Sequence, residues 1–87
     1  VLKELDHQIR HLRANMRPER PPVGFALKPA RTEIRWQPLG VIGVIAPWNY
    51  PVQLALNPLI GAIAAGNRVM VKPSEHTPRT GHAIAEL

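Results

Sequence analysis

Two short loops hold the side chains best suited to chemistry. Pro47-Trp48-Asn49-Tyr50-Pro51 follows one apolar run, and Pro73-Ser74-Glu75-His76 follows a second that ends in Lys72. Asn49 carries a carboxamide able to donate two hydrogen bonds. A frame of Trp48, Tyr50 and two prolines suits a donor that must stay fixed against a developing oxyanion. The same residue also suits a turn, where its side chain satisfies the local backbone. Lys72 places an ammonium at a strand end, fit for ribose hydroxyls, for phosphate or simply for solvent. Glu75 is able to accept from ribose hydroxyls or to occupy the turn before Thr77. Taken one at a time, these residues do not choose between ligand binding and ordinary loop duty.

The elements that must position them follow from periodicity. Leu2, Leu5, Ile9, Leu12 and Met16 recur at spacings of three and four, which predicts a helix over about 1–15. Pro18, Pro21 and Pro22 end it, and a connector runs to about Pro29. From Arg31 to Gln37, Thr32, Ile34 and Trp36 alternate with Glu33, Arg35 and Gln37, the pattern of a half-exposed strand at a sheet edge or against another subunit. Val41 to Ala46 lacks alternation and is rich in β-branched residues, as expected of a parallel strand covered on both faces.

A largely buried helix follows, with Leu54, Ala55, Leu56, Leu59, Ile60, Ile63 and Ala64. It is kinked near Pro58 and closed by Gly66 and Asn67. Arg68–Lys72 is a second short strand. Thr77-Pro78 then supplies an N-cap and a first helical residue for a last helix that turns Ala83, Ile84 and Leu87 inward. Strand, helix, strand and helix in this order imply a right-handed βαβ crossover. In such a sheet ligands bind beyond the carboxyl ends of the strands, so neighbouring strands would bring both loops to one edge.

Composition narrows the alternatives. Eighty-seven residues allow one domain at most, and a chain of this size buries only about 60–65% of its unfolded surface. The first residue is Val1 and the last lies in a helical stretch, so the chain reads as a fragment. There is no cysteine, hence no disulfide, thiolate nucleophile or thiolate metal site among these residues. No signal-like start appears, and the longest apolar run, around Leu59–Ala65, is too short to cross a bilayer. A cytoplasmic parent that makes no membrane contact is expected. The net charge is +5, with eight of eleven basic residues before Val41. Glu4, Asp6, Glu19 and Glu33 interrupt these charges and only Phe25 and Trp36 are aromatic among them, which argues against nucleic acid as a partner.

The run from Gly40 to Glu75 resembles the aldehyde dehydrogenase superfamily in order, spacing and residue identity. The resemblance rests on PLGVIGVIAPWNYP at 38–51, GAIAAGNRVMVKPSE at 61–75 and the TP at 77–78. WNYP, with ARTEIRWQPLG before it, is most similar to the class 3 and coniferyl aldehyde dehydrogenase branch. This resemblance implies an α/β, Rossmann-like parallel-sheet fold and an N-terminal piece of an NAD-binding domain. Residues 1–30 would form its leading helix and connector, 31–37 an edge or intersubunit strand, and 38–87 a βαβα cofactor-binding segment.

It also implies a reaction in which a cysteine thiolate attacks an aldehyde, hydride passes to the nicotinamide and water releases the acid. Asn49 matches the family asparagine that helps hold the oxyanion, and Trp48 a residue beside the aldehyde and nicotinamide. Lys72 and Glu75 match the pair on the adenosine ribose, while Ile45, Ala46 and Pro47 match the cofactor path. An acidic ribose partner disfavours a 2′-phosphate and so favours NAD, although Lys72 offsets the repulsion and leaves NADP compatible.

The dinucleotide fingerprint GxGxxG is absent, as this family's cofactor mode implies. In relatives the nucleophilic cysteine and the glutamate base lie beyond the position of Leu87. The implied partners are an aldehyde, the remainder of the enzyme chain and further copies in a homodimer or homotetramer. A basic nucleic-acid-binding module and a noncatalytic subunit-contact module are the competing readings. His7 and His11, four apart on the first helix, have no evident third ligand and are not assigned a metal, while His76 and His82 are expected at the surface.

Overall fold

A computed structural model describes all of residues 1–87. It contains helix α1 (Leu2–Asn15), strand β1 (Val41–Ile45), helix α2 (Pro51–Ala64), strand β2 (Arg68–Lys72) and helix α3 (Pro78–Ala85), with one 3-10 turn at Phe25–Leu27. β1 and β2 form a parallel pair in the register Val41↔Arg68 to Ile45↔Lys72. The intervening α2 is the crossover. No helix is long and apolar enough to cross a membrane.

The core lies between α2 and one face of this sheet. Ala55 is fully buried, and Val44 and Ala46 are nearly so. A small residue at position 55 lets the helix backbone approach the strands closely, with Leu56 and Leu59 filling in as half-buried neighbours. The expectation of strands covered on both faces is corrected within these residues. Ile45 and Met70 stand 80% and 70% exposed on the opposite face. The β-branched run carries the hydrophobicity of a two-sided strand, yet these 87 residues supply cover for one side only. α2 is likewise half-buried rather than largely buried, with Ile63 exposed.

α2 runs through Pro58 as one helix and ends where expected. Gly66 takes φ +85°, and the amides of Gly66 and Asn67 bond back to the carbonyls of Ile63 (2.8 Å) and Ala62 (3.0 Å), the paired closure of a Schellman end. A side chain at residue 66 meets only ordinary contact with Pro38 at 3.6 Å, so the left-handed backbone is the dominant cost of filling it. Gly66→Ala is expected to destabilise the protein by about 1–2 kcal/mol and Gly66→Asn by less. Denaturant midpoints check this, and equal midpoints for alanine and glycine would sink it.

Two further expectations need correction. Residues 31–37 form no strand here: Ile34 makes one isolated antiparallel bridge with Glu19, and Ile34 and Trp36 are exposed. Their alternation is real, but the facing stretch contains Pro18, Pro21 and Pro22, which lack the amides a ladder requires. Thr77 does occupy the N-cap position of α3, but without a side-chain cap bond, because its Oγ1 donates to the Ser74 carbonyl at 3.5 Å. Of Ala83, Ile84 and Leu87, only Ile84 is partly buried.

Candidate functional site

The parallel register decides where the two loops emerge. Ile45 pairs with Lys72, and the Ala46 amide donates to the Lys72 carbonyl at 3.0 Å, so both strands end side by side. Both following segments then leave the carboxyl edge of the sheet, the edge at which parallel sheets place ligands. A shallow open cleft of about 540 Å³ lies there, lined by Ile45, Ala46, Pro47, Trp48, Lys72, Ser74, Glu75 and His76. Six of the seven site residues expected from sequence meet in this one cleft.

Lys72 and Glu75 form its charged part. Lys72 Nζ donates to Glu75 Oε2 at 2.8 Å and to the Pro73 carbonyl at 3.3 Å. An ammonium has three donors, so one remains for a ligand, and Glu75 keeps its second carboxylate oxygen as an acceptor. Donor beside acceptor is the set that a pair of ribose hydroxyls requires. The Lys72 hydrogen bond, then the Glu75 amide and the lysine charge, hold the Glu75 carboxyl down to about 2 from its ordinary 4.5. The sign follows from a lowered folded value: the ion pair's contribution is complete above pH 4.5 and is lost as pH falls through about 2. Glu75 is therefore an anion across the range in which enzymes work.

Asn49 is the residue that stands apart. It is exposed in the bend at 48–50 and lies outside the lining of the cleft. The expected rigid frame is incomplete as well, since Trp48 and Tyr50 are each 63% exposed and press on little in this chain. Prolines at 47 and 51 restrict the backbone on either side, and Pro51 starts α2 at a position where its missing amide costs nothing.

Ser74 and His76 also line the cleft, although sequence reading did not select them. Ser74 is buried, its Oγ accepts from the His76 amide at 3.2 Å, and its carbonyl accepts from the Thr77 amide at 3.2 Å. It folds the loop back so that Glu75 can face Lys72. The available signal was the serine ahead of Thr77-Pro78, a residue type that bonds its own backbone two positions on. His76 offered no such signal and is brought to the cleft by this turn alone.

The sequence profile of the aldehyde dehydrogenase family matches residues 2–87. The chain is 56% identical over 72 residues to a probable coniferyl aldehyde dehydrogenase of Pseudomonas aeruginosa, covering 83% of this chain and 15% of that protein. It is 45% identical over 84 residues to human aldehyde dehydrogenase family 3 member B1, covering 97% and 18%. Among solved structures, one described as the substrate-bound state of Staphylococcus aureus AldH superposes with a TM-score of 0.92 at 40% identity, over 95% of this chain and 18% of that one. The chain thus spans less than a fifth of the length of these relatives. With the profile covering nearly every residue and the fold matching a solved relative, the chain belongs to the aldehyde dehydrogenase family.

Proposed function

We propose that this segment forms part of the cofactor-binding domain of an enzyme that oxidises an aldehyde to its carboxylic acid. The aldehyde loses a hydride and gains a hydroxyl from water, and NAD leaves reduced with release of a proton. The observation that supports this reading is the meeting of Ile45, Ala46, Pro47, Trp48, Lys72 and Glu75 in one cleft at the carboxyl edge of the sheet. A dinucleotide fits the chemistry of that lining: apolar backbone along the end of β1, and a donor and an acceptor side by side at the end of β2. NAD, when bound, supplies the hydride acceptor.

The chain's own residues would divide the work. Lys72 Nζ and Glu75 hold ribose hydroxyls, and the fixed negative charge of Glu75 repels a 2′-phosphate, which favours NAD over NADP. Ile45 to Trp48 lie along the cofactor and exclude water from one side of it. Asn49 donates from its side-chain amide to the oxygen of the reacting carbonyl once the rest of the protein has closed over the 48–50 bend. The nucleophilic thiol comes from elsewhere in the protein, because no cysteine is present here, and the carboxylate base of this reaction is assigned there with it. Relatives named for coniferyl aldehyde make an aromatic aldehyde the first substrate to try. Assembly into a homodimer or homotetramer, with residues 31–37 as a strand between subunits, is the corresponding proposal for partners.

The test is an assay of the full-length protein for aldehyde-dependent reduction of NAD, with coniferyl aldehyde and an aliphatic aldehyde as substrates. Absence of reduction with either would overturn the activity. Within that assay, Lys72→Met is expected to raise KM for NAD about tenfold, worth about 1.4 kcal/mol, with little change in kcat. Ribose contacts are made equally in the ground and transition states, so their loss weakens binding without slowing chemistry. An unchanged KM would remove Lys72 from the cofactor site.

A further inference from the structure

The histidines of α1 take no part in the cleft, and their geometry has a use of its own. We propose that His7 and His11 form a two-imidazole site for a divalent transition metal on the outer surface of α1. Residues four apart lie one above the other on a helix face. Here the two rings stack, with centroids 4.3 Å apart and planes inclined by 26°. Both side chains are exposed among these residues, so an ion reaches them without displacing any group packed within this segment.

The decisive detail is the hydrogen bond at 2.9 Å between His11 Nδ1 and the His7 carbonyl. A carbonyl oxygen only accepts, so Nδ1 carries the proton and the lone pair of the neutral ring sits on Nε2. This is the arrangement of metal-bound imidazoles, in which one nitrogen donates to a backbone carbonyl and the other is held ready to ligate. Two nitrogens bound cis to one ion, each about 2.0–2.1 Å from it, are about 3 Å apart. Rings stacked at 4.3 Å must turn about their side-chain torsions to bring both nitrogens onto one ion.

Local charge is partly neutralised. Arg10, the cation one turn from His7, is tied to Asp6 by an ion pair of 3.0 Å, and Glu4, on the preceding turn, accepts from Gln8 at 3.0 Å. Lys3 is the remaining cation on that turn. Imidazole donors without thiolate or carboxylate select Ni²⁺, Cu²⁺ and Zn²⁺ over Mg²⁺ and Ca²⁺. With two protein ligands, water completes the coordination. Bridging positions four apart ties successive turns of α1 together, so metal binding stabilises that helix.

Ni²⁺ is the probe, titrated calorimetrically into the full-length protein, with amide exchange of α1 as a second readout. His7→Gln and His11→Gln are each expected to weaken binding about 10- to 100-fold, while His82→Gln leaves it unchanged. Slower exchange of α1 amides on adding Ni²⁺ should vanish in either α1 variant. Both substitutions fall on exposed positions outside the cleft, so aldehyde turnover should stay at the wild-type level. Ni²⁺ affinity that is the same in wild type and both α1 variants, or wild-type protein that shows no Ni²⁺ effect on α1 exchange, would overturn the site.

Discussion

In the full-length protein, Asn49→Ala is expected to lower aldehyde turnover about 100-fold or more while leaving NAD affinity close to its starting value. Removing one donor from an oxyanion hole costs about 2.7–4 kcal/mol of transition-state stabilisation, because that donor meets full charge only when the carbonyl oxygen becomes an anion. A ground-state carbonyl gains much less from it, so the loss falls on kcat rather than on KM. Asn49→Asp sharpens the test, since it keeps the shape but replaces the donor by an anion next to the developing charge and should be at least as damaging. Single-turnover measurements on both variants give the chemical step directly. Near-normal turnover in Asn49→Ala would return this residue to the role of a turn former.

The placement of Asn49 shows how far sequence reading reaches. The edges β1 and β2 were legible because their runs are short, β-branched and bounded by proline and glycine, and a parallel crossover leaves one arrangement for two such strands. Once the register is Ile45↔Lys72, the meeting of Pro47, Trp48, Lys72 and Glu75 follows from topology alone. Asn49 is one residue past the end of that logic. Its orientation depends on what packs against Trp48 and Tyr50, and neither is covered by these residues.

The strand expected at 31–37 finds no ladder within this chain, for a related physical reason. Alternation reports that a segment has two different faces, and it says nothing about whether a ladder partner with free amides lies beside it. Here the facing stretch of Pro18 to Pro22 provides one bridge at Glu19 and little more. Its remaining order comes from side chains. Glu33 bridges Arg20 and Arg35, and Thr32 Oγ1 donates to the Pro21 carbonyl at 2.8 Å. The hydrogen bond from Arg35, and with it the charge of both arginines, lowers the Glu33 carboxyl below its ordinary range despite some opposing desolvation. Such contacts depend on individual rotamers, which no hydrophobic pattern encodes.

The helix end before β2 was predictable as an end, but not as the fastening of the whole βαβ unit. Asn67 Oδ1 accepts from the amides of Leu39 (2.6 Å) and Gly40 (3.0 Å), while its Nδ2 donates to the Ala62 carbonyl at 3.1 Å. One carboxamide thus ties the last turn of α2 to the entrance of β1. The Arg68 amide adds a direct bond to the Gly40 carbonyl at 2.8 Å on the same side.

Asn67→Ala removes all three side-chain bonds. At about 1 kcal/mol net for each bond, with some return from water at the exposed amides, the expected loss is about 2–3 kcal/mol. Asn67→Asp keeps the acceptor but loses the donor, and it sets a negative charge at the negative end of α2, so it should fall between wild type and alanine. Denaturant unfolding of the full-length protein orders the three. The same fastening sets the first pair of the β1–β2 register, Val41↔Arg68, and through it the level at which Ile45 and Lys72 leave the sheet. Asn67→Ala should therefore also raise KM for NAD, although it touches no residue of the cleft. Alanine as stable as asparagine would show that the register is held by the ladder and the packing of Ala55 alone.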